Sequence, residues 1–214
     1  MTPLEMLLSR ASVGQLRDPA PDGEVLETIL AAGLRAPDHG RLRPWRFVLI
    51  RGEARQRYAE CAVAALRARD PAAEQPQIDK LYNRITGVPL IIALGVQLRP
   101  DHRIPEIEQM LSTGAAAMNL LNAVHAAGFG GVWVTGANAF DPAVAAALGF
   151  PPPHRLAGFL YVGTPKEDAP RSLLRPALAD HVTEWTAPVG TAPAGTAPVP
   201  TAPVSTAPVV AEPA

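Results

Sequence analysis

The sequence predicts a layered domain of helices packed on a β-sheet, of the α/β or α+β class. Stretches with apolar residues at helical spacing alternate with short β-branched runs bounded by Gly and Pro. A 214-residue chain that is 48% hydrophobic can bury a core of ordinary size. Alternation of this kind, taken alone, suggests a doubly wound parallel sheet.

The elements follow in order. Thr2-Pro3-Leu4-Glu5 has the form of a capped helix start, with threonine at the cap, proline in the first turn and glutamate three residues on. That helix ends near Ser9 to Gly14, and a second begins after Asp22, with Leu26, Ile29, Leu30, Gly33 and Leu34 on one face. Trp45 to Ile50 predicts a strand buried on both faces. Further strands are expected at Leu90 to Gln97, Gly131 to Thr135 and Leu156 to Gly163. Helical patterns cover 53–69, 75–84 and 105–127, the last with an apolar stripe of Ile107, Leu111, Met118, Leu121 and Val124. Gly128 stops that helix as a left-handed cap, and Asp141-Pro142 opens a short helix running to Leu148. After Trp185 a TAPVG-type repeat takes over, with proline every fifth residue and no large side chain; residues 186–214 are expected to be a disordered tail outside the 1–185 domain.

Composition narrows the function. Nineteen cations face 20 anions, for a formal charge of −1, which argues against a nucleic-acid partner. Only Lys80 and Lys166 are lysines, so the cations are mostly arginines suited to bidentate binding of anions. Cys61, the single cysteine, lies in a helical pattern and is expected to be an inert thiol; no disulfide or CxxC pair can form within one chain. The run Val88 to Val96 is too short to span a bilayer and the N-terminus lacks a signal-peptide pattern, so the chain is expected in the cytoplasm, without a membrane partner. The five histidines show no HExxH or His–Cys spacing, and no GxSxG, Walker or GxGxxG fingerprint is present.

Three segments carry surplus polarity or glycine. Arg10-Ala11-Ser12 places a guanidinium and a hydroxyl just past a helix end, able to grip a phosphate or heterocycle edge. Arg35 to Trp45 crowds two prolines, a glycine, Asp38, His39 and three arginines between a helix and a strand, more than a turn requires. Gly128 to Gly136 brackets Trp133, Val134 and Thr135 with glycines that would let a flat or anionic group approach the backbone. Glu106 and Glu108 are close in sequence but face different ways on a helix.

Together these segments resemble the nitroreductase family of flavin enzymes. The matching residues are Arg10-Ala11-Ser12, Arg35-Ala36-Pro37, Arg43-Pro44-Trp45, the Gly-Phe-Gly-Gly-Val-Trp run from Gly128, and Gly158 to Pro165. The likeness covers residues 1 to about 185. It implies an α+β three-layer sandwich, with a mixed, mostly antiparallel sheet flanked by helices, in a domain-swapped homodimer. Tightly bound FMN would sit at the subunit interface, contacted by Arg10, Ala11 and Ser12 of one subunit and by Arg35 and His39 of the other, with Trp133, Val134 and Thr135 lining its isoalloxazine or ribityl side. His181 to Trp185 would pair as an edge strand on the partner. NADH or NADPH would deliver hydride to flavin N5 and a nitroaromatic, quinone or similar acceptor would remove it, in a ping-pong cycle. Gly14 stands where many members carry a cation, and Asp38-His39-Gly40 replaces their Ser-x-x-Asn, a form similar to a compact bacterial branch of NAD(P)H nitroreductases. Oxygen-dependent modification of a flavin or cofactor on the same fold, and non-enzymatic flavin binding with the tail recruiting a partner, are the competing readings.

Overall fold

The computed structural model describes residues 2–167 and 175–185. The chain divides into two units, residues 1–173 and 174–214, and each is described by itself.

In the first unit, β5 (Arg155–Pro165) is the strand around which the sheet is built. It pairs with β3 (Leu90–Val96), with β4 (Gly130–Val134) and, at its last residues, with β1 (Leu16–Arg17); β3 pairs in turn with β2 (Trp45–Arg51). All of these pairings are antiparallel, so the doubly wound parallel sheet suggested by alternation gives way to an antiparallel one. Parallel neighbours would need crossover connections that return the chain to the same end of the sheet, whereas here the sequential neighbours β2–β3 and β4–β5 run antiparallel.

Two apolar layers cover the sheet. On one face, α2 (Gly23–Gly33) and α5 (Glu106–Ala126) bring Leu26, Ile29, Leu120 and Val124 onto Leu90, Ile92, Leu94, Leu160 and Val162. On the other, α3 (Ala54–Arg69), α4 (Gln75–Thr86), α6 (Gly136–Ala139) and α7 (Pro142–Ala147) bring Tyr58, Ala62, Ile85 and Val144 onto Ile91, Ala93, Phe159 and Tyr161. Strict alternation along β3 thus feeds both layers, and all seven of its residues are buried. Each large aliphatic side chain buried there contributes about 1.5–3 kcal/mol.

The helix ends follow the sequence. Thr2 caps α1 (Pro3–Ser9) in a capping box with Glu5, and Asp141 accepts from the N–H groups of Ala143 and Val144 at the start of α7. Gly128, at φ +83, terminates α5, with its N–H donating to His125 O and that of Phe129 to Val124 O.

Two expectations are corrected. Trp45–Ile50 is not buried on both faces: β2 ends the path of the sheet within this chain, and Phe47, Val48 and Leu49 are half-buried. The stripe expected on α5 is also only partly internal. Leu121 and Val124 are buried, but Ile107 and Leu111 are 64% and 65% exposed and Met118 is exposed too. The buried face carries Gln109, Ser112, Thr113, Ala116 and Ala117 instead, because small residues allow close approach to the sheet and the polar ones find partners.

In the second unit, Leu178–Asp180 forms a 3-10 turn and Val182–Trp185 has no strand assignment within this single chain. The tail expected over 186–214 lies outside the described residues. Among the described residues, no helix is long and apolar enough to cross a membrane.

Candidate functional site

The end of α1 is fixed on the last turn of α5, where Ser9 Oγ lies 2.9 Å from His125 Nε2. The chain then leaves the helix at Arg10, with φ −58 and ψ 129, and passes through Ala11 and Ser12 without regular secondary structure. Val13 N–H donates to Gly131 O at 3.0 Å, which pins this loop beside β4. The structure therefore brings Arg10-Ala11-Ser12 and the Gly130–Val134 strand together. Between them lies a cleft of about 160 Å³ lined by Ser9, Arg10, Ala11, His125, Gly130 and Gly131. Ser12 faces solvent, and Ala11 and Arg10 are half-buried.

Farther along β4, Trp133 is 36% exposed and its Nε1–H donates to Ala157 O at 3.1 Å. Val134 is half-buried, and Thr135 is exposed at the cap of α6. The glycines here do different work from that expected of them. A Cβ on Gly130 would meet Leu16 and Pro165 side chains at 2.9 Å, and one on Gly131 would crowd Leu121 and the backbone of Tyr161, so both serve internal packing. Gly128, at φ +83, and Gly136, at φ +59, both combine a left-handed backbone with open space, and Gly136 does so next to Thr135.

Arg35 and His39 lie elsewhere. Arg35 is exposed just beyond the end of α2, and His39 opens a 3-10 turn (His39–Arg41) whose Nδ1 is 2.6 Å from Glu108 Oε2. The loop is firmly built. Ser112 Oγ–H donates to Pro37 O at 2.8 Å, Arg43 N–H donates to Asp38 Oδ2 at 2.7 Å, and Gln97 N–H donates to Pro44 O at 2.7 Å. Gly40 has φ +70, and a Cβ there would lie 2.3 Å from Ile104 Cδ1. Arg41 and Arg43 hold φ values of +56 and +50, unusual for non-glycine residues and sustained by these surrounding bonds.

Glu108 and His125 are seventeen residues apart on one continuous helix, which at 1.5 Å per residue is roughly 25 Å. The segment holding Arg10 is tied to one end of α5 and the loop holding His39 to the other. Within a single chain the expected site residues form two groups.

The sequence gives Glu108 no role beyond the expectation that it and Glu106 face different ways on the helix. They do diverge: Glu106 Oε2 is 3.4 Å from Arg155 Nη2, whereas Glu108 meets His39. Nothing in the spacing of 39 and 108 announces that contact. Cys61 is half-buried, and burial followed by the nearby Asp141 charge pushes its thiol up from its ordinary range, as suits an unreactive cysteine.

The nitroreductase family model matches residues 7–164. YdjA of Escherichia coli (strain K12), a relative named for NAD(P)H nitroreductase activity, is 40% identical over 183 residues, covering 86% of this chain and 99% of the relative. A nitroreductase-like protein of Bacillus cereus superposes with a TM-score of 0.74 at 22% identity, covering 86% of this chain and 96% of that one. A Desulfovibrio desulfuricans protein, described as a nitroreductase in complex with FMN, superposes with a TM-score of 0.64 at 25% identity over 88% of this chain and 99% of its own. With this fold and a family match spanning most of its length, the chain belongs to the nitroreductase family.

Proposed function

We propose that the protein is an FMN-dependent NAD(P)H oxidoreductase of the nitroreductase type, a homodimer that reduces nitroaromatics, quinones or similar acceptors. The observation that carries the reading is the separation of the two residue groups along α5. One chain cannot close both groups on one flavin across roughly 25 Å, but two chains related by a two-fold axis can bring the Arg10 end of one to the His39 loop of the other. The surface between the groups suits such a contact. Ile107, Leu111 and Met118 of α5 and Leu4, Leu7 and Leu8 of α1 are exposed large apolar side chains that a partner subunit would cover.

The residues present fit the cofactor. Arg10 and Ser12 offer a cation and a hydroxyl beside the cleft, suited to an anionic phosphate. Open space at Gly136, next to Trp133, Val134 and Thr135, lets a planar ring come close to the backbone. Bound FMN would supply two-electron transfer between nicotinamide and acceptor. The chain's own tasks are to anchor the phosphate through Arg10, to fix the His39 imidazole through Glu108, and to hold Arg35 where it can stabilise negative charge. Residues 186–214 are an extension outside this machinery.

The FMN-loaded Desulfovibrio relative and the NAD(P)H nitroreductase name of the Escherichia coli protein support the same reading. The test is purification with measurement of flavin content and of NADH and NADPH oxidation with and without nitrobenzene or a quinone. Flavin absorbance with acceptor-dependent turnover is expected; a colourless protein that takes up no FMN on incubation would end the proposal.

A further inference from the structure

One guanidinium joins elements that their own sequence leaves loosely held. Arg69 is the last residue of α3, and its side chain forks: Nη1–H donates to Asp141 Oδ2, and Nη2–H donates to Asn138 Oδ1 at 3.0 Å. Asp141 is buried and also accepts from the N–H groups of Ala143 and Val144 at the start of α7. Arg69 therefore ties both α6 and α7 to α3, by a planar two-point geometry that a lysine does not reproduce.

The α6 end of the fork is where a hold is needed. α6 is a four-residue turn entered through the left-handed Gly136, and Thr135 at its cap makes no side-chain hydrogen bond to it. A single turn of helix does not stabilise itself, so its place must be set from outside. Only Ala139 of its four residues is buried. Asn138 supplies the polar hold, meeting Arg69 and also the buried Tyr58 of α3. Burial pushes the Tyr58 hydroxyl far above its ordinary range, with Asn138 working against it through a side-chain hydrogen bond, so the phenol stays neutral. Both anchors of Asn138 thus belong to α3, and the residues just before it are Thr135 and Gly136.

We propose that Arg69 is a positioning residue for the cofactor: through Asn138 it fixes α6, and with it the Thr135–Gly136 corner where a planar ring approaches the backbone. This role rests on the FMN-dependent reading and extends it to two residues that act through the corner. A corner left free to shift by a fraction of a turn would hold the ring less firmly.

FMN titrated into the purified full-length protein, followed by flavin fluorescence, gives the affinity, and visible circular dichroism at saturation reports the surroundings of the bound ring. Arg69→Lys keeps a cation for Asp141 but ends the fork, and Asn138→Ala removes its other end. Each should weaken FMN about tenfold and change the flavin circular dichroism. The double variant should bind no more weakly than Asn138→Ala alone, because both changes act through one contact. Arg55→Met is the comparison for stability. It removes the bonds to the carbonyls of Gly52, Thr86 and Val88 at the other end of α3, and should lower the melting temperature without moving FMN affinity. Unchanged affinity and flavin spectra in Arg69→Lys and Asn138→Ala, losses that add in the double variant, or an equal loss in Arg55→Met would overturn the assignment. A wild-type protein that takes up no FMN would remove the cofactor reading itself, and this role with it.

Discussion

A methyl group placed on Gly95 would lie 2.0 Å from Phe150 Cζ, whereas one placed on Gly136 would meet nothing within 4 Å. The two glycines therefore answer different demands. Gly95 is required by packing between β3 and the segment before β5, and Gly136 only by its left-handed φ of +59. Gly95→Ala should cost about 2–3 kcal/mol by forcing the Phe150 ring aside, and Gly136→Ala about 1 kcal/mol of backbone strain. Thermal melts of the two variants decide it: an equal loss would mean that the space around Phe150 adapts. Asp141 makes a pH-dependent contribution. Burial tends to raise its carboxyl, but the Arg69 hydrogen bond and the N–H groups of Val144 and Ala143 outweigh it, leaving the carboxyl below its ordinary value. A lowered folded value means that the carboxylate stabilises the fold above the ordinary carboxyl range and that this stabilisation is lost as pH falls through the folded value. Asp141→Asn should thus cost about 1–2 kcal/mol at neutral pH, with the difference from wild type shrinking below about pH 4. Urea titrations at neutral and acid pH measure both.

The helix α5 shows how far an element can be read before its partners are known. Its length and its Gly128 stop were legible, because both depend on local chemistry: capping geometry and a run of strong helix formers. Its orientation was not. Gln109 is buried because its side chain bridges Arg99 N, Arg99 O and Ile104 O, and Ser112 because it closes the Pro37 loop. Those partners lie outside the helix, in the loop that leads into it and in the distant Pro37 loop, so hydrophobicity alone assigns the inner face to Ile107, Leu111 and Met118. For the same reason β2 was expected to be fully covered: an apolar run does not reveal which sheet positions lack a neighbour. The site shows the same division. Arg10-Ala11-Ser12 and Arg35 to Trp45 stood out by composition, while the Val13–Gly131 bond and the Glu108–His39 contact are products of the tertiary fold. If the outward stripe is a subunit contact, Leu111→Glu should leave the melting behaviour of the isolated chain's fold intact while shifting sedimentation towards monomer and lowering flavin content. A dimer of unchanged stability would remove α5 from the interface.

At the scale of the whole molecule, a site divided between the ends of α5 has a consequence that no single-chain site shares. Arg10→Ala should weaken flavin binding about tenfold to a hundredfold through loss of a charge-assisted contact, and Arg35→Ala combined with His39→Ala should damage the opposite half. In a mixed dimer of these two variants, one site carries both defects. The other joins an intact Arg10 segment to an intact Arg35–His39 loop. Random exchange of subunits makes about half of the dimers mixed, so about a quarter of all sites should regain native affinity. Flavin retained after unfolding and refolding the variants together, compared with each refolded alone, reads this directly. Recovery requires that the two groups come from different chains, because a site complete within one chain would stay damaged in every subunit of the mixture. No recovery, with both variants folded and dimeric, would mean that the Arg10 segment and the Arg35–His39 loop do not complete one site across the subunit interface, and would leave the separation along α5 without a functional meaning.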